Sequence, residues 1–179
     1  MRDWNVVVSV YEEGFRRVLK ALRQLAPTER SDYYNVLLMK ADDPVALLSA
    51  IEQKTEESTA LYDGISRVAP ATRNFEFHSA DDFIEKAKQI IGEWAERLAG
   101  CSFHVRLHRR GAKYDLGTQD SERLFDDTVL DATAKAGIPA KVSFTDPDAV
   151  IAIDTVDDRA GLALWTREDL ARHRLLRPD

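Results

Sequence analysis

The chain has 179 residues, 44% hydrophobic and 31% charged, with a net charge of −6 and a single cysteine, Cys101. That composition suits one compact domain or two small ones, and it excludes an intramolecular disulfide or a metal centre built from cysteines. The longest apolar runs, such as Val6 to Val8 and Ala149 to Ile153, are too short to span a bilayer. The N-terminal apolar stretch is broken by Ser9 and soon reaches Glu12 and Glu13, so no signal peptide is expected and the setting is expected to be cytoplasmic.

Trp4 to Val10 is rich in valine and predicts a strand. Glu12 to Leu25 predicts a helix, with Phe15, Val18, Leu19, Leu22 and Leu25 on one apolar face and Pro27 beyond its end. A second strand is expected over Tyr33 to Lys40. Asp43-Pro44 then supplies an N-cap and a proline at the first helical position, ahead of a helix that turns Val45, Leu48 and Ile51 inward. This strand–helix–strand–helix opening suggests a ferredoxin-like α/β unit. Thr55 to Asp63 is polar and runs into Gly64, which marks the expected boundary between units.

Ile65 to Phe77 offers one or two short extended segments broken at Pro70. Ser79, with Asp82 three residues on, signals a capped helix whose buried stripe is Phe83, Ala87, Ile90, Ile91, Trp94 and Leu98, and which Gly100 ends. Ser102 to Arg109 reads as a strand. Phe103, Val105 and Leu107 point one way, and His104, Arg106 and His108 point the other. After a loop over Gly111 to Gly117, Thr118 or Asp120 is expected to cap a helix ending before Gly137. Lys141 to Phe144, Ala149 to Ile153 and Leu162 to Trp165 read as strands, and Arg167 to Arg177 as a basic helix or tail.

Charge is unevenly spread. Arg106, Arg109, Arg110 and Lys113 occur without an acid between Cys101 and Lys113, whereas Asp115 to Asp131 holds six acids against Arg123. The basic strand face is either a solvated face answering the acidic helix or a cationic track for an RNA backbone, with His and Arg able to stack on unpaired bases. His104 and His108 cannot share a metal ion, because four strand rises of roughly 3.3 Å hold them about 13 Å apart. Cys101 has no base near it in sequence and reads as a small core residue. Asp146-Pro147-Asp148 and Asp157-Asp158 read as turns between strands rather than as acid–base pairs. Neither a glycine-rich phosphate loop nor a nucleophile elbow occurs in the sequence, so no cofactor and no catalytic residue is expected.

Five segments, in order, resemble a THUMP domain: Ile65-Ser66-Arg67-Val68-Ala69-Pro70; the long amphipathic helix; Phe103 to Gly111 with its terminal basic pair; the following helix and short strand; and Asp146-Pro147-Asp148 leading into Ala149 to Ile153. The likeness covers about 100 residues, Ile65 to Trp165. In layout the chain is similar to the stand-alone THUMP proteins that assist tRNA cytidine acetylation. The resemblance implies a ferredoxin-like N-terminal unit over residues 1–63, a THUMP-like α/β RNA-binding domain over 64–166 and a basic C-terminal segment over 167–179.

It also implies tRNA binding at the acceptor stem and 3′ end, and a separate tRNA-modifying enzyme as partner. Arg67 and Arg110 fall on the family's motifs, with Arg109 beside them, whereas Arg106, His108 and Lys113 come from the strand pattern. The two units account for almost the whole chain, which leaves an adaptor without chemistry of its own as the expectation. A THUMP-like protein–protein module without RNA, and a small enzyme using Cys101 or the aspartate pairs, are the alternatives. Three structural expectations go with this reading. Phe83, Ile90, Trp94, Phe103, Val105, Val150 and Ile153 should be buried. Charge reversal at Arg109 and Arg110 should leave unfolding unchanged. The acidic helix from Thr118 to Ala136 should serve as a docking face.

Overall fold

The computed structural model describes residues 1–111, 113–115 and 117–178; Ala112 and Leu116 of the expected loop lie outside them. The chain forms two compact units, Met1–Thr72 with Leu170–Asp179, and Arg73–Asp169.

In the first unit, β1 (Val6–Val10) leads through one 3-10 turn (Glu12–Gly14) into α1 (Phe15–Leu22). There follow β2 (Thr28–Arg30), β3 (Val36–Met39), α2 (Pro44–Glu56), α3 (Thr59–Gly64) and β4 (Ile65–Pro70). The sheet order is β2-β3-β1-β4, antiparallel throughout. This is the β-α-β-β-α-β order of a ferredoxin-like unit, with α3 added. Val6, Val7, Val8 and Val10 on β1 and all of β3 are buried, as continuous apolar runs in interior strands should be. Asp43 caps α2, its carboxylate accepting from Val45 N at 3.1 Å and Ala46 N at 3.0 Å.

Three details differ from the sequence reading. Thr59–Gly64 is a helix, capped by Ser58 Oγ on Leu61 N at 3.2 Å. Ile65–Pro70 belongs to the first sheet, paired along β1, so the units divide at Thr72 rather than at Gly64. The C-terminal segment returns to the first unit: Val68 N donates to Leu175 O at 2.8 Å, Leu175 and Leu176 are buried, and His173 Nδ1 lies 2.9 Å from Glu52 Oε2.

Gly14 and Gly64 touch backbone to backbone; a Cβ on Gly14 would stand 2.6 Å from Gly64 Cα. Gly14→Ala therefore forces the first turn of α1 away from α3, and a loss of about 1–3 kcal/mol is expected, read from the urea midpoint.

The second unit runs β5 (Arg73–Glu76), α4 (Ala80–Leu98), β6 (Ser102–Arg110), α5 (Thr118–Lys135), β7 (Lys141–Val142), β8 (Ala149–Val156) and β9 (Arg159–Thr166), with α6 (Arg167–Arg172) after it. The sheet order is β5-β9-β8-β6-β7; β6 is parallel to β7 and β8, and β9 is antiparallel to β8 and β5. Ser79 and Asp82 start α4 reciprocally: Ser79 Oγ accepts from Asp82 N at 3.0 Å, and Asp82 accepts from His78 N at 2.9 Å. Gly100, at φ +73°, ends the helix in the left-handed conformation that a side chain would disfavour. Gly117, not Thr118 or Asp120, is the N-cap of α5, and no side chain closes that end.

One face of the sheet, with Phe103, Val105, Leu107, Ile151 and Ile153, packs on α4 and α5 to form the core. Phe77 and Phe83 meet at 5.1 Å between centroids, and Phe83 meets Phe125 edge-on at 5.9 Å. All seven residues expected to be buried are buried. Among the described residues, no helix is long and apolar enough to cross a membrane.

Candidate nucleic-acid interface

The basic segment is β6 and the loop after it. β7 pairs only with Ser102 and Phe103 of β6, so the following N–H groups on that edge need other acceptors. The helix between the two strands supplies them. Glu122 Oε1 accepts from Leu107 N at 2.8 Å, and Asp126 Oδ1 accepts from Val105 N at 3.2 Å. The spacing explains the fit: four residues of helix rise about 6 Å, and two residues of strand about 6.6 Å. These carboxylates therefore cover a strand edge, so two acids of the helix expected to serve as a docking face are engaged within the unit. Burial dominates at Asp126 and pushes its pKa up to about 6, although the Val105 N–H and His104 act in the other direction.

The six cationic candidates are not equivalent. Arg67 lies on β4 of the first unit and is 7% exposed. Arg110 Nη1 forms an ion pair with Asp154 Oδ1 at 3.0 Å, the two side chains being 15% and 6% exposed. Arg109, half-buried, donates to Tyr114 O and so holds the loop after β6. Arg106 and His108 are half-buried. Lys113 is open, its side chain 65% exposed; its ammonium lies 5.2 Å from the Tyr114 ring centroid and 4.0 Å from Asp158.

His104, expected on the basic face, is wholly buried. Its Nδ1 lies 3.0 Å from Ser143 O, and its ring is 5.3 Å from that of Phe144, which is itself 66% exposed. The sequence offered no sign of this pairing, because Phe144 reads as the last residue of a strand and sits 40 positions away.

The aspartate turns have structural work. Asp148 accepts from Ser102 N at 2.8 Å and Ser102 Oγ at 3.1 Å, tying the start of β8 to the start of β6; the backbone N–H holds its pKa below the usual carboxylate value. Arg167 binds Asp146 at 3.0 Å and Asp148 at 3.1 Å. Asp146 and Asp157 take left-handed conformations, φ +48° and +55°, as turn residues do. Cys101 is half-buried, its Sγ 3.9 Å from Arg97 O. Among the described residues, no group of three or more His, Cys, Asp or Glu could hold a metal ion.

The THUMP domain family model matches residues 77–164. No curated protein sequence matches the chain. Solved structures share its fold at low identity. PH1313 from Pyrococcus horikoshii Ot3 is 14% identical, with a TM-score of 0.61 over 90% of this chain and 54% of its own. TrmN from Thermus thermophilus is 15% identical, with a TM-score of 0.54 over 90% and 44%. A 4-thiouridine synthetase solved with RNA and ATP is 16% identical, with a TM-score of 0.55 over 92% and 42%. The chain thus spans about half the length of these proteins, and both of its units fall within the shared region.

Proposed function

We propose that this chain, which carries a THUMP domain over residues 77–164, binds tRNA in the cytoplasm and presents it to a separate modifying enzyme, a cytidine acetyltransferase being the leading candidate. The family match is the observation that carries the RNA reading. A structural neighbour solved with RNA bound supports it. The adaptor reading draws support from the residues weighed as candidates for chemistry. Asp146 and Asp148 are engaged by Arg167 and Ser102, and Cys101 lies against a backbone carbonyl. Tethering tRNA beside an enzyme raises its local concentration without any chemistry by the tether.

Lys113 is the cation to test first, because its exposure lets the charge be reversed without disturbing packing. If about four phosphates are contacted, log affinity falls with log salt at a slope between about −3 and −4, and Lys113→Glu makes that slope shallower by about 1. A salt-independent interaction in a filter-binding assay with total tRNA would sink the reading. Incubating the protein with tRNA, acetyl-coenzyme A, S-adenosylmethionine and ATP is expected to leave the nucleoside mass profile unchanged; a new modified nucleoside would overturn the adaptor role.

A further inference from the structure

The first unit, outside the residues that match the THUMP family model, holds an open cleft of about 610 Å³ between the β2–β3 turn and the start of α1. One wall is Tyr34, 73% exposed at the tip of the turn. That turn is stiff. Ser31 Oγ accepts from Tyr33 N at 3.1 Å and donates to Val36 O at 2.9 Å. Asn35 sits at φ +57°, and its carbonyl accepts from Val10 N at 3.0 Å. The other wall is Phe15, with the Arg30 guanidinium carbon 5.0 Å from its ring centroid. Glu12, Glu13 and Asp32 bring acidic side chains to the lining, and Arg16 a second guanidinium.

We propose that this cleft takes an unpaired nucleotide of the bound RNA, its base lying between Tyr34 and the Phe15–Arg30 shelf and its amino edge meeting Glu12 or Asp32. The biological occupant rests on the tRNA reading above. Tyr34 and Phe15 line one cleft, with Arg30 over the second ring, and aromatic faces and arginine planes are what unpaired bases stack on. Carboxylates accept from the exocyclic amines of bases. Arg16 and Arg30 offer the sugar–phosphate chain positive charge while the base enters. The volume is of the size usual for small-ligand sites. A basic peptide fits less well, because two arginines line the same space as the acids.

The test uses the full chain in two arms. In the first, AMP, CMP, GMP and UMP are titrated while the aromatic NMR signals of Tyr34 and Phe15 are followed. Shifts are expected, larger for the amino-bearing bases than for UMP. In the second, tRNA affinity is compared for Tyr34→Ala and Tyr34→Trp. Removing the ring is expected to weaken binding about fivefold or more, and the tryptophan, which keeps a stacking surface, to preserve it. tRNA binding that ignores Tyr34→Ala, with nucleotides leaving both signals unmoved, overturns the cleft and leaves the tRNA reading intact. If tRNA does not bind at all, that reading fails, and the nucleotide titration alone decides the cleft. An arginine-rich peptide that moves the signals when no nucleotide does overturns the proposal in favour of a protein partner.

Discussion

A chain carrying Arg110→Glu is expected to melt on the order of 10 °C below the wild type. Arg110 and Asp154 stand on the adjacent parallel strands β6 and β8, with 3.0 Å between Nη1 and Oδ1 and little solvent around either side chain. Coulomb attraction between them is weakly screened there, so removing the Arg110 charge takes this counterion from a buried carboxylate, a loss of about 3–5 kcal/mol. Glutamate does more than break the pair, since it sets a second carboxylate against Asp154. The expectation from sequence alone, that reversing Arg109 and Arg110 would spare stability, therefore gives way at Arg110: a loss of RNA binding there would report unfolding. Replacing both partners by apolar residues, Arg110→Met with Asp154→Leu, is expected to recover most of the loss, because well-packed apolar groups often substitute for a buried pair at little cost. Thermal scans by circular dichroism decide it. Arg110→Glu melting within about 2 °C of wild type would mean that the pair is solvated and dispensable.

Local signals were legible where the chain states them locally. The Asp43-Pro44 and Ser79–Asp82 pairs announced α2 and α4, because a cap acts within three residues of the group it satisfies. The alternation of β6 and the apolar run of β8 likewise reported their burial. What escaped was set by distant partners or by elements too small to carry a period. β2 has three residues with only Thr28 buried, and α3 buries Leu61 and Gly64 alone. β4 looked like the start of a new unit because only its pairing with β1, some 60 residues earlier, places it in the first sheet.

The candidate site was harder still. Alternation put His104 among the cations, but Phe144 and Ser143 enclose it. Arg110 looked like a phosphate ligand, yet it pairs with Asp154, 44 residues away at the end of an apolar run. Glu122 and Asp126 counted only toward the acidic charge of the helix. Their four-residue spacing does match alternate N–H groups on a strand, a signal that becomes readable once a neighbouring strand edge is known to lack a partner.

That second role gives Asp126 a large expected pH effect. Its carboxyl is buried and its pKa is raised from 3.8 to about 6, burial outweighing the hydrogen bond from Val105 N. A folded-state pKa above the unfolded one means that the fold favours the protonated acid. The resulting stabilisation is complete below about pH 4 and is lost as pH rises through about 6, and at 1.36 kcal/mol per pH unit it amounts to roughly 3 kcal/mol. Asp82, Glu93 and Asp148 act with the opposite sign: hydrogen bonds from His78 N, Arg73 and Ser102 N hold their pKa values down, so their contributions fade as the solution is acidified below the usual carboxylate range. Stability is therefore expected to peak at mildly acidic pH and to fall towards pH 8. Asp126→Asn keeps an oxygen for the Val105 N–H and cannot ionise. Its urea midpoint at pH 8 should exceed that of the wild type, and the gap should narrow by about half as pH is lowered to about 5 and close near pH 4. The difference between the two curves isolates Asp126 from every other titrating group. Parallel curves from pH 5 to pH 8 would show that the carboxylate is ionised at little cost in the fold, and that the edge of β6 is capped by a charged acid rather than a neutral one.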